Sequence, residues 1–254
     1  MKVGQEGGGR YERPASRKAC GLAHDKLEQQ VYYWHITVMT IQQPIPDFGA
    51  AREAMIESQL RPEGVTDPAV LEAMGRIPRE NFLPSDARSL AYVDRAVPVG
   101  EGRFLPAPAV LGQLLTQMRL EPGQRALVVG AGTGYSAAVL SAMNLQVDAL
   151  ECDPALAKTA RKLATNTIEG PLEEGHAAGA PYDQILIDGA VEHIPDGLID
   201  QLAEGGRLGG AIIDRGVTRL VVGCKAGDAF GTLSIGDAGV PPLPGFSRPK
   251  AFTF

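Results

Sequence analysis

From residue 47 onward, apolar positions recur with the spacings of helices and strands. Six short apolar runs predict buried strands. They cover residues 126–129, 146–150, 182–188, 206–213, 218–224 and 230–235. Helices are predicted after the first of these strands, at residues 136–143, and after the third, at residues 195–202, whereas the last three strands follow one another through glycine-containing turns. This order predicts a doubly wound α/β fold whose mostly parallel sheet has about seven strands and an antiparallel edge.

Two amphipathic helices are predicted ahead of the sheet. Residues 50–60 carry an apolar face and follow Asp47, a residue type that favours the helix N-cap. A second helix is predicted to be capped by Thr66, to hold Pro68 in its first turn and to end before Pro78. Together these N-terminal helices are expected to cover the α/β domain.

The amino-terminal segment has a different pattern. Residues 1–46 mix glycines, scattered charges and an aromatic patch without a sustained period. We therefore predict that residues 1–46 are a disordered or extraneous extension and that residues 47–254 form a single domain. Met39 is our hypothesis for the natural start of the protein, because the regular pattern begins soon after it.

Composition narrows the possible partners. The 254 residues include 30 acidic and 24 basic side chains, for a net charge of -6, so we expect no nucleic-acid partner. The three cysteines, Cys20, Cys152 and Cys224, are scattered, which favours a reducing compartment over a disulfide framework. Neither the cysteines nor the histidines have a metal-ligand spacing, so we predict no metal. The apolar stretch over residues 31–39 is too short for a membrane span, and we expect no membrane contact.

A glycine-rich turn after the first predicted strand is the main chemical candidate. Residues 130–135 read Gly-Ala-Gly-Thr-Gly-Tyr, and glycines allow the backbone to turn tightly and approach a ligand. Glu151 follows the next strand, where a carboxylate can accept hydrogen bonds from two ribose hydroxyls. The glycine spacing differs from the dinucleotide motif and no phosphate-binding lysine follows, so S-adenosylmethionine fits better than NAD or ATP. A strand-to-helix turn without a ligand is the alternative.

The predicted cofactor site gathers residues at the carboxyl ends of three strands. Its members are Gly130, Ala131, Gly132, Gly134, Tyr135, Glu151, Cys152 and Asp188. Cys152 is expected to pack near the adenine as a small buried thiol. Asp188 is expected to end its strand and to point into the same crevice as Glu151, with a capping role as the alternative.

The chain from about Met55 to Phe246 resembles the protein-L-isoaspartate O-methyltransferases. The segments that match in order begin at Met55, Val70, Ala91, Val97, Gly130 and Val240. The resemblance implies the Rossmann-like fold of class I S-adenosylmethionine-dependent methyltransferases and a cytoplasmic repair enzyme. It also implies methyl transfer from S-adenosylmethionine to the α-carboxyl group of isoaspartyl residues in a protein or peptide. A carboxylate is already nucleophilic, so this chemistry depends mainly on positioning and exclusion of water.

The loop before the third helix departs from the family pattern. That pattern is approximately G-x-G-Q-T-x-S-Q-P, whereas residues 100–108 read Gly-Glu-Gly-Arg-Phe-Leu-Pro-Ala-Pro. Pro106 stands at the family's Ser and Phe104 at its Thr, so no catalytic residue is assigned. Arg103 is a candidate to pair with a substrate carboxylate, and a surface arginine is the alternative. Val128 also replaces an acid that usually precedes the glycine loop.

These departures leave two alternatives to isoaspartyl methylation. One is a related methyltransferase that acts on another acid or small molecule, favoured by the more apolar and stiffer loop around Phe104 and Pro106. The other is a non-catalytic scaffold that keeps the fold, favoured by the loss of the acid at Val128. The sequence carries no indication of the oligomeric state.

Overall fold

The computed structural model describes residues 47–163 and 166–248, and the predictions for residues 1–46, including Met39, lie outside this part of the chain. Its α-helices are α1 (Phe48–Met55), α2 (Pro68–Arg76), α3 (Pro108–Met118), α4 (Tyr135–Ala142), α5 (Pro154–Leu163) and α6 (Asp196–Asp200). Its strands are β1 (Val97–Gly100), β2 (Arg103–Leu105), β3 (Arg125–Val129), β4 (Gln146–Glu151), β5 (Asn166–Glu169), β6 (Tyr182–Val191), β7 (Leu202–Asp214), β8 (Val217–Ala226) and β9 (Ala229–Asp237). A π-helical segment, Ile56–Leu60, continues α1.

The main sheet has seven strands in the order β5-β4-β3-β6-β7-β8-β9. Strands β3 to β7 are parallel to one another, whereas β8 and β9 are antiparallel to their neighbours. The predicted fold class is therefore confirmed. After β5 the chain crosses back to the other side of β3, where it forms β6. In open α/β sheets, ligands bind at the carboxyl ends of the strands that flank such a reversal.

The central strand β3 is covered on both faces. Ala126 and Val128 belong to the apolar cluster that includes Met55 and Leu115, so they face the amino-terminal helices and α3. Leu127 and Val129 belong to a second cluster on the opposite face of the sheet. These four side chains of β3 have an exposed fraction of 0%. A strand that is buried on both faces reads as a continuous apolar run, which is why the sequence revealed it.

Two regions differ from the sequence prediction. The loop predicted over residues 100–108 belongs in part to the antiparallel β1–β2 hairpin, which forms a separate two-stranded sheet. Helix α5 and strand β5 were not predicted. Strand β5 is a short edge strand with exposed ends, and α5 buries only Leu156, Ala157 and Ala160. Neither element therefore carries a long apolar pattern.

Of the two predicted helix caps, the structure confirms the first and contradicts the second. Asp47 caps α1, because its Oδ1 accepts a hydrogen bond from the Ala50 N–H at 3.0 Å. Helix α2 is capped by Asp67 and not by Thr66, since Asp67 Oδ1 accepts from the Ala69 N–H at 2.8 Å. Pro68 occupies the first helical position, so the extended residue directly before it is the N-cap.

No helix within residues 47–163 and 166–248 is both long enough and apolar enough to cross a membrane.

The cap assignment predicts a difference between two neighbouring substitutions. Asp67→Ala removes the hydrogen bond to the Ala69 N–H and should lower the free energy of unfolding by about 1 kcal/mol. Thr66→Ala serves as the matched control and should change it by less than about 0.5 kcal/mol. Denaturant titration followed by circular dichroism measures both values. A larger loss for Thr66→Ala than for Asp67→Ala would return the cap to Thr66.

Candidate functional site

The glycine loop between β3 and α4 lies at the carboxyl end of the central strand. Gly130, Gly132 and Gly134 have φ angles of 80°, 57° and 97°, in the left-handed region that favours glycine. A Cβ on Gly132 would have Val99 Cγ2, 3.9 Å away, as its nearest neighbour. The backbone of this loop is therefore open to close approach at Gly132.

Glu151 is the last residue of β4 and lies beside this loop. Its side chain has an exposed fraction of 0%. The carboxylate accepts hydrogen bonds from the N–H groups of Gly132 at 2.7 Å, Cys152 at 2.9 Å and Asp153 at 3.0 Å. A buried carboxylate needs such donors, because burying a polar group without hydrogen bonds is unfavourable. Strand β4 and the glycine loop thus build a buried anion.

Arg103 covers the same carboxylate. Its Nη2 donates to Glu151 Oε2 at 2.8 Å, while its Nη1 contacts Glu151 Oε1. Nη2 also donates to the Gly130 carbonyl oxygen at 3.0 Å. The exposed fraction of Arg103 is 5%, so the surface alternative for this residue is wrong. In this structure the partner of Arg103 is the protein's own carboxylate.

The space next to Arg103 is small. Its lining includes Phe104 and Pro106 from the hairpin side, Asp188 from β6, and Leu243. The cavity has room for about 10 Å³, which corresponds to about one water molecule. Arg103 and the residues around it therefore close the site in front of Glu151.

Asp188 lies inside a strand and not at its end, because β6 continues to Val191. The Ala190 N–H donates to the Pro241 carbonyl oxygen at 2.9 Å, so Asp188 does not cap Ala190. Burial raises the pKa of Asp188 from 3.8 to about 6, although the Ser136 hydroxyl and the Arg103 guanidinium oppose the shift. Asp188 is thus a buried acid on the wall of the same cavity as Arg103.

Two other predicted site residues lie differently from expectation. Cys152 is exposed, contrary to its predicted burial, because it follows the inward-pointing Glu151 and therefore points the other way. Tyr135 is fully buried, with its ring 5.4 Å from the Phe82 ring and 4.8 Å from the Arg79 guanidinium carbon. Only the backbone of Tyr135 is therefore available to a ligand in the loop. Ala131 is buried in the loop itself.

Arg79 is a buried residue that the sequence did not single out. Its Nε donates to the Ala91 carbonyl oxygen at 2.7 Å, and its Nη2 contacts the Pro106 carbonyl oxygen. Arg79 thereby ties the end of the hairpin segment to the helix that starts at Tyr135. Burial lowers the pKa of Arg79. An arginine after Ile77-Pro78 has no local pattern that indicates burial, so only the three-dimensional contacts reveal this role.

The segment over residues 240–245 closes the site from the other side. The Ala190 N–H donates to the Pro241 carbonyl at 2.9 Å, and the Leu243 N–H donates to the Ala190 carbonyl at 2.8 Å. A Cβ on Gly130 would lie 2.9 Å from the Leu243 side chain, so Gly130 is required for this packing. The late turn is thereby attached to both β6 and the glycine loop.

Within the described part of the chain, His193 does not belong to a cluster that could bind a metal ion. The His193 Nδ1 lies 3.2 Å from the Phe246 carbonyl oxygen. No group of three or more His, Cys, Asp or Glu side chains among the residues described here is arranged to hold a metal ion.

Comparisons with known proteins give the family. Residues 50–228 match the model described as Protein-L-isoaspartate(D-aspartate) O-methyltransferase (PCMT). The protein-L-isoaspartate O-methyltransferase of Methylorubrum extorquens is 42% identical over 178 residues, which cover 68% of this chain and 78% of that protein. The corresponding protein of Roseiflexus castenholzii is 37% identical over 206 residues, which cover 78% of this chain and 94% of that protein.

Solved structures share the fold. A protein-L-isoaspartate O-methyltransferase aligns with a TM-score of 0.68 and 24% identity over 76% of this chain, and the aligned part is 66% of that chain, just under two thirds. A beta-aspartate methyltransferase from Plasmodium falciparum, in complex with S-adenosyl-L-homocysteine, aligns with a TM-score of 0.65 and 21% identity. The alignment covers 76% of this chain and 97% of the Plasmodium chain.

The predicted family, and with it the prediction of an enzyme that uses S-adenosylmethionine, is confirmed by these matches. The chain belongs to the protein-L-isoaspartate O-methyltransferase family of S-adenosylmethionine-dependent enzymes.

Proposed function

We propose that this protein methylates the α-carboxylate of isoaspartyl residues in proteins or peptides, in the cytoplasm, with S-adenosylmethionine as the methyl donor. The observation that carries the proposal is the buried Glu151 carboxylate beside the left-handed glycine loop at the carboxyl end of β3. A family match covering residues 50–228 supports the same reaction. The scattered, exposed Cys152 and Cys224 thiols agree with a reducing compartment.

The residues around the glycine loop fit the cofactor. Glu151 is held in place by the N–H groups of Gly132, Cys152 and Asp153, so its carboxylate is already fixed as an acceptor for ribose hydroxyls. Gly132 leaves the backbone open to close approach. The cofactor, when bound, supplies a methyl group activated by a positively charged sulfur. Arg103 must release the Glu151 oxygens before they can accept hydrogen bonds from ribose.

The reaction depends more on the positioning of the two reactants than on acid–base chemistry. An oxygen of the acceptor carboxylate forms a bond to the methyl carbon while the carbon–sulfur bond breaks, which leaves a methyl ester and S-adenosylhomocysteine. No proton moves in this step, so Pro106 at the family's Ser position does not remove an essential base. Arg79 holds the Pro106 carbonyl oxygen and thereby fixes the end of the loop. Rigid placement of the reactants can supply a large part of the rate.

Asp188 adds a pH-dependent charge to the cavity wall. Its pKa of about 6 means that the carboxyl is ionised at neutral pH despite its burial. The folded protein binds more protons at this position than the unfolded chain does between about pH 4 and pH 6. The stability contributed by Asp188 is therefore highest at low pH and decreases as the pH rises through 6.

The first test concerns Glu151. Glu151→Gln should weaken S-adenosylhomocysteine binding about tenfold to a hundredfold, the range expected for loss of hydrogen bonds to a charged group. Isothermal titration calorimetry on the full chain measures the affinity. Glu169→Gln is a matched control, because Glu169 ends β5 next to Glu151 but is exposed.

The outcomes separate the candidate functions. If the unmodified protein does not bind S-adenosylhomocysteine, the non-catalytic scaffold is the candidate that remains. Binding without methylation of an isoaspartyl peptide would favour a methyltransferase with another acceptor, and the same peptide with a normal aspartyl residue is the substrate control. Equal affinities for the unmodified protein and Glu151→Gln would remove Glu151 from the cofactor site.

The second test concerns Asp188. Asp188→Asn replaces a buried ionised group by a neutral one, so the free energy of unfolding of this variant relative to the unmodified protein should increase with pH. The increase between pH 4 and pH 8 should reach up to about 3 kcal/mol, the equivalent of a shift of about two pKa units. Denaturant titrations at several pH values measure it. A difference that stays constant over this range would contradict the raised pKa.

A further inference from the structure

We propose that Arg103 binds the acceptor carboxylate, and that it becomes available for this role only after it has exchanged Glu151 for the acceptor. In the closed structure Arg103 pairs with Glu151. When Glu151 accepts the ribose hydroxyls of the cofactor, the guanidinium is released towards the acceptor side of the cavity. This inference rests on the proposed function and adds a specificity-determining residue to it.

The first step is that Arg103 and ribose compete for the same atoms. An ionised carboxylate offers about four lone-pair positions for hydrogen bonds. The backbone N–H groups of Gly132, Cys152 and Asp153 and the two guanidinium nitrogens of Arg103 already bring five donors to these positions, so none of them is free. The guanidinium fork reaches both oxygens, as two neighbouring ribose hydroxyls would. Ribose therefore replaces Arg103 on Glu151 and does not add to it.

The second step is that the exchange takes away the carboxylate with which Arg103 is paired. Ribose hydroxyls are neutral, so they satisfy the hydrogen-bonding capacity of Glu151 but carry no charge for Arg103. Arg103 is 5% exposed, and a buried charge without a partner is strongly unfavourable. The Gly130 carbonyl retains only a hydrogen bond to Nη2. A carboxylate from the acceptor would restore the ion pair, because the arginine fork matches its two oxygens.

The third step is that the hairpin lets Arg103 change partner without disturbing the main sheet. Strands β1 and β2 form their own two-stranded sheet, with an irregularity between Pro98 and Gly100. Gly102, directly before Arg103, has a φ of 63° and open space around it. The other end of β2 is anchored, because Leu105 is buried and the Pro106 carbonyl contacts Arg79. The tip that carries Arg103 can therefore shift about a fixed base.

Asp188 is the competing internal carboxylate. It lines the same cavity as Arg103, and the Arg103 charge already acts on its pKa. A released guanidinium can thus pair with either of two carboxylates, that of Asp188 or that of the acceptor. Only binding to the acceptor makes Arg103 a determinant of substrate choice, so the experiment compares acceptors that differ in one charge.

The first arm of the test measures competition at Glu151. Arg103→Met removes every donor and keeps a long side chain, so it should bind S-adenosylhomocysteine about tenfold more tightly or better, because no ion pair has to be broken. Isothermal titration calorimetry measures the affinity, and Arg95→Met, at an exposed position before β1, is the control. Weaker binding by Arg103→Met than by the unmodified protein would show that Arg103 supports the cofactor site and would overturn the exchange.

The second arm measures recognition of the acceptor. In protein saturated with S-adenosylhomocysteine, an isoaspartyl peptide should bind about tenfold more tightly than the same peptide with an α-carboxamide. Arg103→Met should lose this preference, and Arg103→Lys, which keeps the charge, should retain part of it. An undiminished preference in Arg103→Met would assign the carboxylate to another residue and overturn the proposal.

Failure of the two proposals can be distinguished. If the unmodified protein and Arg103→Met both fail to bind S-adenosylhomocysteine, the proposed methyltransferase function fails. If both bind it with equal affinity and show the same preference for the carboxylate peptide, the function stands and the role of Arg103 is rejected.

Discussion

The structure around the site depends on one buried anion, the Glu151 carboxylate. Burying a charge is unfavourable unless donors surround it, and the left-handed turn of the glycine loop directs the Gly132 N–H towards it. Two further N–H groups come from the residues that follow β4. The burial of Glu151 therefore requires this loop conformation, because a different turn at Gly132 would remove one of the hydrogen-bond donors to the carboxylate.

The sequence revealed the fold because the elements that define it have local patterns. Strand β3 is buried on both faces and gives a continuous apolar run, and the glycines mark the turn after it. Helix α5 and strand β5 were missed because they bury few apolar side chains. The cap of α2 does have a local signal, because Pro68 fixes the helix start and thereby places the N-cap at Asp67 and not at Thr66.

The contacts that close the site could not be predicted in the same way. Arg103 and Glu151 are 48 residues apart, and Arg79 and Pro106 are 27 residues apart. Burial of an arginine is decided by a distant carboxylate or carbonyl, and neither leaves a periodic pattern near the arginine. The end of β6 was also placed too early, since the strand continues beyond Asp188 to Val191. Asp188 was therefore expected at a strand end, whereas it lies within the strand and lines a buried cavity.

The altered loop has a consequence for how the two substrates affect each other. The family's loop carries hydroxyl groups, whereas this chain carries a guanidinium at Arg103 and apolar residues at Phe104 and Pro106. A hydroxyl group is neutral and needs no counter-charge before a ligand binds. A buried guanidinium needs an anion, and Glu151 provides it. If cofactor and acceptor each favour the released form of Arg103, thermodynamic linkage requires that each ligand increases the affinity of the other by the same factor. One ion pair then couples the donor and acceptor sites without a separate allosteric element.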